Sequence, residues 1–237
     1  MSGADRTNGA AWAGFDWSKE RYEDLIGRVV PDYHRQGSLI AEAIHEAATG
    51  GREEPLRILE LGAGAGGLSR HLLTTLPRVE VTALDVSPVM LVACRETLAP
   101  FGNRARVLEA DFGIADLGGD YHAVVSRLAI HHLKDDEKQA LYRRVFEALL
   151  PGGLFVIGDL IAGETEADKQ AMRAEWQEYM SSRGDDPSEW ERWLVGDDDH
   201  PATEQRQLAW LEAAGFVEVR TIWKRAFFAL TRAARPR

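Results

Sequence analysis

Residues 58–67 read Ile58-Leu59-Glu60-Leu61-Gly62-Ala63-Gly64-Ala65-Gly66-Gly67. An apolar run opens at Leu56 and stops at Leu61, which is the length of a strand buried on both faces. Glycines then crowd the chain, and from Leu68 to Leu76 the apolar residues recur at helical spacing. A glycine-rich turn between a buried strand and a helix admits positive φ and lets a ligand come close to the backbone.

Working outward, the alternation repeats. Strands are predicted over 80–84, 105–109, 121–126 and 154–158. Between them, Ser87-Pro88 starts one helix with a capping hydroxyl and a proline in its first turn. An amphipathic helix over 135–149 ends at Pro151-Gly152-Gly153. Strands alternating with helices at this pitch predict an α/β fold with a mostly parallel sheet covered on both sides. Upstream, two helices are read over 18–48, with Pro31 between them and Thr49-Gly50-Gly51 ending the second. Downstream, the interval from Ile161 to a helix at 203–214 is too long for a simple connection. Residues 162–203 are therefore read as an inserted helical cap built around Trp176, Trp190 and Trp193. Strands over 216–223 and 226–231 close the sheet as an antiparallel pair turning at Lys224-Arg225. The division is a loose tail (1–17), a helical lid (18–50), a ligand-binding core (51–161), the cap (162–203) and a closing segment (204–237).

Gly62, Gly64 and Gly67 satisfy the dinucleotide fingerprint, and Asp85 lies at about the 20-residue offset where an acid takes a ribose. The glycines alone leave NAD and S-adenosylmethionine (SAM) both open. Three neighbours separate them. Glu60 stands two residues before Gly62, where a carboxylate suits an α-amino group and would oppose a pyrophosphate. Glu109-Ala110-Asp111-Phe112 offers a carboxylate beside an aromatic ring, fit for an adenine. Ser126-Arg127-Leu128-Ala129-Ile130-His131-His132-Leu133 follows the fourth strand, and Leu149-Leu150-Pro151-Gly152-Gly153 precedes the fifth.

In this order the motifs resemble the class I SAM-dependent methyltransferases, strongly over residues 55–160. The resemblance implies a Rossmann-like, seven-stranded sheet ordered 3-2-1-4-5-7-6, with SAM across the carboxyl ends of its strands. It implies that Glu60, Gly62, Ala63 and Gly64 hold the methionine part. Asp85 would take the ribose, with Val86 beside the adenine, and Asp111 and Phe112 would bracket the base. The flanks, Arg28-Val29-Val30-Pro31-Asp32-Tyr33 and Ala214-Gly215-Phe216, are similar to the tRNA-modification enzymes that make carboxy-SAM. That similarity brings Tyr33 to the methionine end and Arg127 near the sulfonium. It departs at Trp210, which stands where those enzymes carry an arginine for the extra carboxylate.

Methyl transfer needs alignment more than side-chain chemistry. His131 and His132 are the candidate bases, at the ligand-bearing edge of the sheet; the alternative is that they pack beneath the cofactor. No metal is expected, because relatives that bind one here carry an acid-histidine pair. Arg127 is read as binding a carboxylate of SAM or of the acceptor, or as paired with a neighbouring acid. Tyr22 and Tyr33 either touch the ligand or pack the lid. His71 and His122 are read as structural, Cys94 as a buried thiol and His200 as solvated.

The chain has 237 residues and a formal net charge of -10, with seven acids between Gly184 and His200. A nucleic-acid partner normally meets a basic face, so none is expected. The acidic run reads as a solvated surface, with substrate recruitment as the alternative. One cysteine, no long apolar run and no secretory leader lead to the expectation of a cytoplasmic protein without membrane partners. The expected activity is methyl transfer to an O, N or C nucleophile of a small molecule. A lyase or cyclase that releases methylthioadenosine from SAM, and a SAM-binding protein without turnover, stand beside it. The cap either covers the site or supports a homodimer.

Overall fold

A computed structural model describes residues 19–47, 54–188 and 199–237, with side chains from residue 24 onward in the first segment. The tail (1–17), the Tyr22 side chain, Trp190, Trp193 and four acids of the acidic run (Glu189, Glu191, Asp197 and Asp198) lie outside the described residues.

Seven strands form one sheet: β1 (Leu56–Leu61), β2 (Val79–Asp85), β3 (Ala105–Glu109), β4 (Tyr121–Arg127), β5 (Leu149–Leu160), β6 (Val217–Arg225) and β7 (Phe228–Ala234). Their order is β3-β2-β1-β4-β5-β7-β6. The first five pair in parallel, and β7 runs antiparallel to both β5 and β6. This is the predicted class I methyltransferase topology.

Alternation along the strands builds two cores. Ile58, Val81, Val125 and Val156 face one way, toward α2 (Tyr33–Ala47), α3 (Gly67–Thr75) and α4 (Pro88–Leu98). Leu59, Leu61, Phe155 and Ile157 face the other, toward α5 (Asp135–Ala148) and α7 (Glu204–Ala213). Ser87 caps α4 as predicted, accepting the Met90 N–H. A third cluster joins α1 (Lys19–Val29) to α6 (Glu166–Ser182): Leu25, Val29 and Val30 meet the fully buried Trp176, whose indole N–H donates to the Val29 carbonyl at 3.0 Å. Thr165 and Asp168 start α6 with a reciprocal capping box. Among the described residues no helix is long and apolar enough to cross a membrane.

Two boundaries differ from the sequence reading. Strand β5 begins at Leu149 rather than 154, because Leu149 pairs with Tyr121 before a bulge and the main register resumes at Leu154. The β6–β7 turn falls at Ala226-Phe227, not Lys224-Arg225, since Arg225 pairs with Phe228. Ala226 takes φ +48° there, and its N–H is held by Glu175 of α6 at 2.9 Å. A tertiary hydrogen bond overrides the lack of a local turn signal.

Candidate active site

The carboxyl ends of β1, β2 and β4 converge on the glycine loop. Gly62 and Ala63 both donate to the Leu84 carbonyl, which ties the loop to β2. Gly62 adopts φ +69°, and a Cβ there would lie 2.3 Å from the Ala129 Cβ. Only glycine fits, because Ala129, two residues beyond β4, packs directly on the loop.

Glu60 is buried on the α3 side of β1, and its carboxylate accepts a short hydrogen bond from the Ser69 hydroxyl. Burial pushes its pKa up to about 7; Ser69 and the positive charge of Arg127 pull the other way, and Asp85 adds to the rise. Arg127 ends β4. Its guanidinium donates to the Tyr33 carbonyl at 3.2 Å and to the Tyr33 hydroxyl at 2.6 Å, and stacks 3.8 Å from the ring centroid. Tyr33, Glu60, Gly62, Gly64, Arg127 and Leu128 line one pocket. Leu128 holds a left-handed φ of +56° while its N–H donates to the Gly158 carbonyl. Such a conformation costs of order 1–3 kcal/mol in a non-glycine residue, and here it turns the chain sharply out of β4.

Asp85 ends β2. One of its oxygens accepts the Gly64 N–H at 2.7 Å and the other the Ser87 N–H at 2.8 Å. Each oxygen retains a second acceptor direction for a ligand hydroxyl. Val86 is half-buried between them in sequence. After β3, Asp111 accepts the Gly113 N–H, and the buried Phe112 ring approaches Gly62. Arg144 of α5 donates to the carbonyls of Phe112, Gly113 and Ala115, fixing this loop from below. Sequence reading missed Arg144, since one arginine on an amphipathic helix gives no distinguishing signal.

The histidines stand on a 3-10 turn, Ile130–His132, beyond β4. His131 is buried. Asp159, near the end of β5, accepts its backbone N–H at 2.9 Å and meets its Nδ1 at 2.5 Å. Burial opposes a charge on the ring, but Asp159 and Asp199 outweigh it and raise the His131 pKa. His132 is half-exposed, with Nδ1 2.8 Å from Asp199. Asp159 was detectable as an acid closing the buried run Phe155-Val156-Ile157-Gly158; Asp199 gave no such signal.

The acidic run is not wholly a solvated surface. Asp199 turns inward to the histidines, and Asp185 pairs with Arg28 of α1. His200 is held by its main chain: its N–H donates to the His131 carbonyl, and its own carbonyl accepts from the buried Lys138 ammonium. His122 is structural, as expected, accepting the Arg57 N–H at 3.0 Å. Cys94 is buried, with its thiol pushed up to about 12 by burial and by the charges of Glu60 and Asp85. Trp210 packs at the edge of the Leu211–Phe216 cluster with Arg206 across its ring.

Residues 58–153 match the family described as "Methyltransferase domain". With the sheet order β3-β2-β1-β4-β5-β7-β6, the match places this segment in the class I methyltransferase fold. Among curated proteins, the chain is 29% identical over 150 residues to a carboxy-S-adenosyl-L-methionine synthase of Aeromonas salmonicida, covering 61% of this chain and 58% of that protein. It is 34% identical over 122 residues to a malonyl-[acyl-carrier protein] O-methyltransferase of Chlorobium phaeovibrioides, covering 49% and 45%. The chain thus spans less than two thirds of these relatives. Among solved structures, the methyltransferase SibL superposes with a TM-score of 0.60 at 19% identity, covering 86% of this chain and 57% of that one. The mitomycin 7-O-methyltransferase MmcR gives 0.58 at 21%, covering 82% and 53%. At these identities the structures bear on the fold alone.

Proposed function

We propose that the chain binds SAM across the carboxyl ends of β1, β2 and β4 and passes its methyl group to a small-molecule acceptor. One observation carries this reading: Glu60 and Arg127, of opposite charge, line the same pocket as the glycine loop. A carboxylate and a guanidinium across a backbone cradle complement the ammonium and carboxylate of an amino acid. Asp85 takes the ribose hydroxyls on its remaining acceptor directions, and Asp111 and Phe112 hold the adenine. Bound there, SAM supplies a methyl carbon on a cationic sulfur that leaves as a neutral thioether.

The protein's part is alignment. Leu128 turns the chain at the pocket wall, and the α1–α6 packing around Trp176 builds a cover beside Tyr33. A covered site excludes water and holds nucleophile, methyl and sulfur in line. The histidines stand where β4 and β5 end, on the ground proposed for the acceptor. Buried and clamped by Asp159, His131 is fixed in place behind the turn. Half-exposed, His132 is the one that a protic acceptor can reach. The acceptor is small and not a nucleic acid: the formal net charge is -10, and a carboxylate, Asp199, stands beside the half-exposed His132.

The lyase reading would use aromatic rings around the sulfonium. One face of Tyr33 is already taken by Arg127. Mass spectrometry of the protein with SAM alone, and then with pooled hydroxylated and aminated metabolites, tests the proposal. Intact SAM in the first case and S-adenosylhomocysteine in the second are expected. Catalytic build-up of methylthioadenosine without acceptor would replace methyl transfer with SAM cleavage.

A further inference from the structure

Beyond the ends of β4 and β5, one oxygen faces two imidazoles. Asp199 Oδ1 lies 2.8 Å from His132 Nδ1 and 3.7 Å from His131 Nε2. The three donor atoms all lie within 4.8 Å of one another. We propose that His131 Nε2, His132 Nδ1 and Asp199 Oδ1 form a seat for one divalent transition cation of the zinc and ferrous-iron class.

Two imidazoles and one carboxylate are a donor set for such ions, whereas magnesium and calcium favour oxygen throughout. A tetrahedral ion with ligands at about 2.1 Å holds them about 3.4 Å apart, so a contraction of at most about 1.4 Å closes the seat. The two measured separations to Asp199 already bracket that value.

The orientation of His131 is an independent observation. Its Nδ1 is committed to Asp159 Oδ1, and its backbone N–H to the other oxygen of the same carboxylate. This turns Nε2 toward Asp199. A carboxylate behind a ligating histidine fixes the tautomer and ring plane that a metal requires. The segment bearing Asp199 is held against the turn by His200, whose N–H donates to the His131 carbonyl while Lys138 binds its own carbonyl.

Histidine neighbours at 131 and 132 alone leave the site without an acid, the ground for expecting no metal; Asp199 supplies it from 67 residues onward. Three protein ligands leave coordination open to water or to an acceptor oxygen. That link to methyl transfer rests on the function proposed above, but metal binding itself does not.

The test is a cobalt(II) titration of untagged, chelator-stripped full-length protein, followed by visible d–d absorption. One equivalent should saturate the signal, and zinc should displace it. His132→Ala and Asp199→Asn should each weaken binding at least about tenfold, and Asp159→Asn about 10–100-fold. His45→Ala, on the exposed face of α2, should change nothing. Because His132 is half-exposed, its variant keeps the test valid if Asp159→Asn fails to fold. No d–d band in folded wild-type protein at saturating cobalt would overturn the proposal. So would an affinity unchanged in either His132→Ala or Asp199→Asn. SAM binding measured on the stripped protein separates failure of this seat from failure of the methyltransferase reading.

Discussion

Arg127 grips Tyr33 in two ways at once: its guanidinium stacks 3.8 Å from the phenol ring while donating to that residue's hydroxyl and carbonyl. The contact joins the end of β4 to the start of α2 and sets the charge that faces Glu60. Tyr33→Phe keeps the ring and loses one acceptor, so SAM affinity should fall by about 1 kcal/mol. Arg127→Lys loses both the stack and the forked geometry and should cost more. Isothermal titration calorimetry ranks the two; the reverse order would break the assignment of Arg127 as the carboxylate-binding group.

Asp85 has two tasks, holding Gly64 and Ser87 and binding the ribose. Asp85→Ala should weaken SAM binding by roughly 1–3 kcal/mol, the scale of lost charge-assisted hydrogen bonds. Unchanged affinity in a folded variant would remove the ribose from this position.

Glu60 makes the ligand-free protein pH-sensitive. Its pKa rises from 4.5 to about 7 because burial disfavours the carboxylate. Between those values the folded state binds more protons than the unfolded state, so stability falls as pH rises. The penalty levels off above pH 7 at about 3 kcal/mol. Urea unfolding between pH 4.5 and 8 should show this slope in wild type and lose it in Glu60→Gln. A cationic ammonium favours the charged carboxylate, so SAM binding near pH 6 should release a proton from Glu60. Calorimetry in buffers of different ionisation enthalpy would detect it, and binding without proton release would place the ammonium elsewhere.

Gly62→Ala would drive a methyl group into the Ala129 side chain and impose a left-handed backbone on alanine. A loss of about 2 kcal/mol or more is expected in thermal unfolding. The double variant Gly62→Ala with Ala129→Gly relieves the clash but not the backbone, so it should recover only part of that loss. Full recovery would mean that the positive φ costs nothing.

Trp176 anchors α6 to α1 through its ring and its N–H. Trp176→Ala should cost about 3–5 kcal/mol and Trp176→Phe much less. Equal, small losses would show that the α1–α6 cluster contributes little to stability.

What could be read from sequence was what is local. The β1–glycine–α3 sequence, the Ser87 cap and the strand alternation all depend on neighbours in the chain, and each stands where expected. What escaped depends on contacts through space. Nothing near Ala226 announces a turn, because Glu175 makes the turn possible. Arg144 has no local signature, and its role comes from three carbonyls on the other side of α5. Asp199 sits among exposed-looking acids, and only the folded chain brings it to His131 and His132. The glycine loop was legible to the residue, whereas the ground beyond β4 and β5 was legible only in part.

Ala162 and Thr203 pair as a parallel bridge, with the Ala162 N–H donating to the Ala202 carbonyl at 3.0 Å. The chain therefore leaves the sheet and returns to it at one place. Closure entropy grows only slowly with the length of such an excursion, about 0.6 kcal/mol per doubling. The stretch between these residues is an excursion with a fixed doorway, moored back to the body of the protein by Trp176 on α1 and Glu175 on the β6–β7 turn.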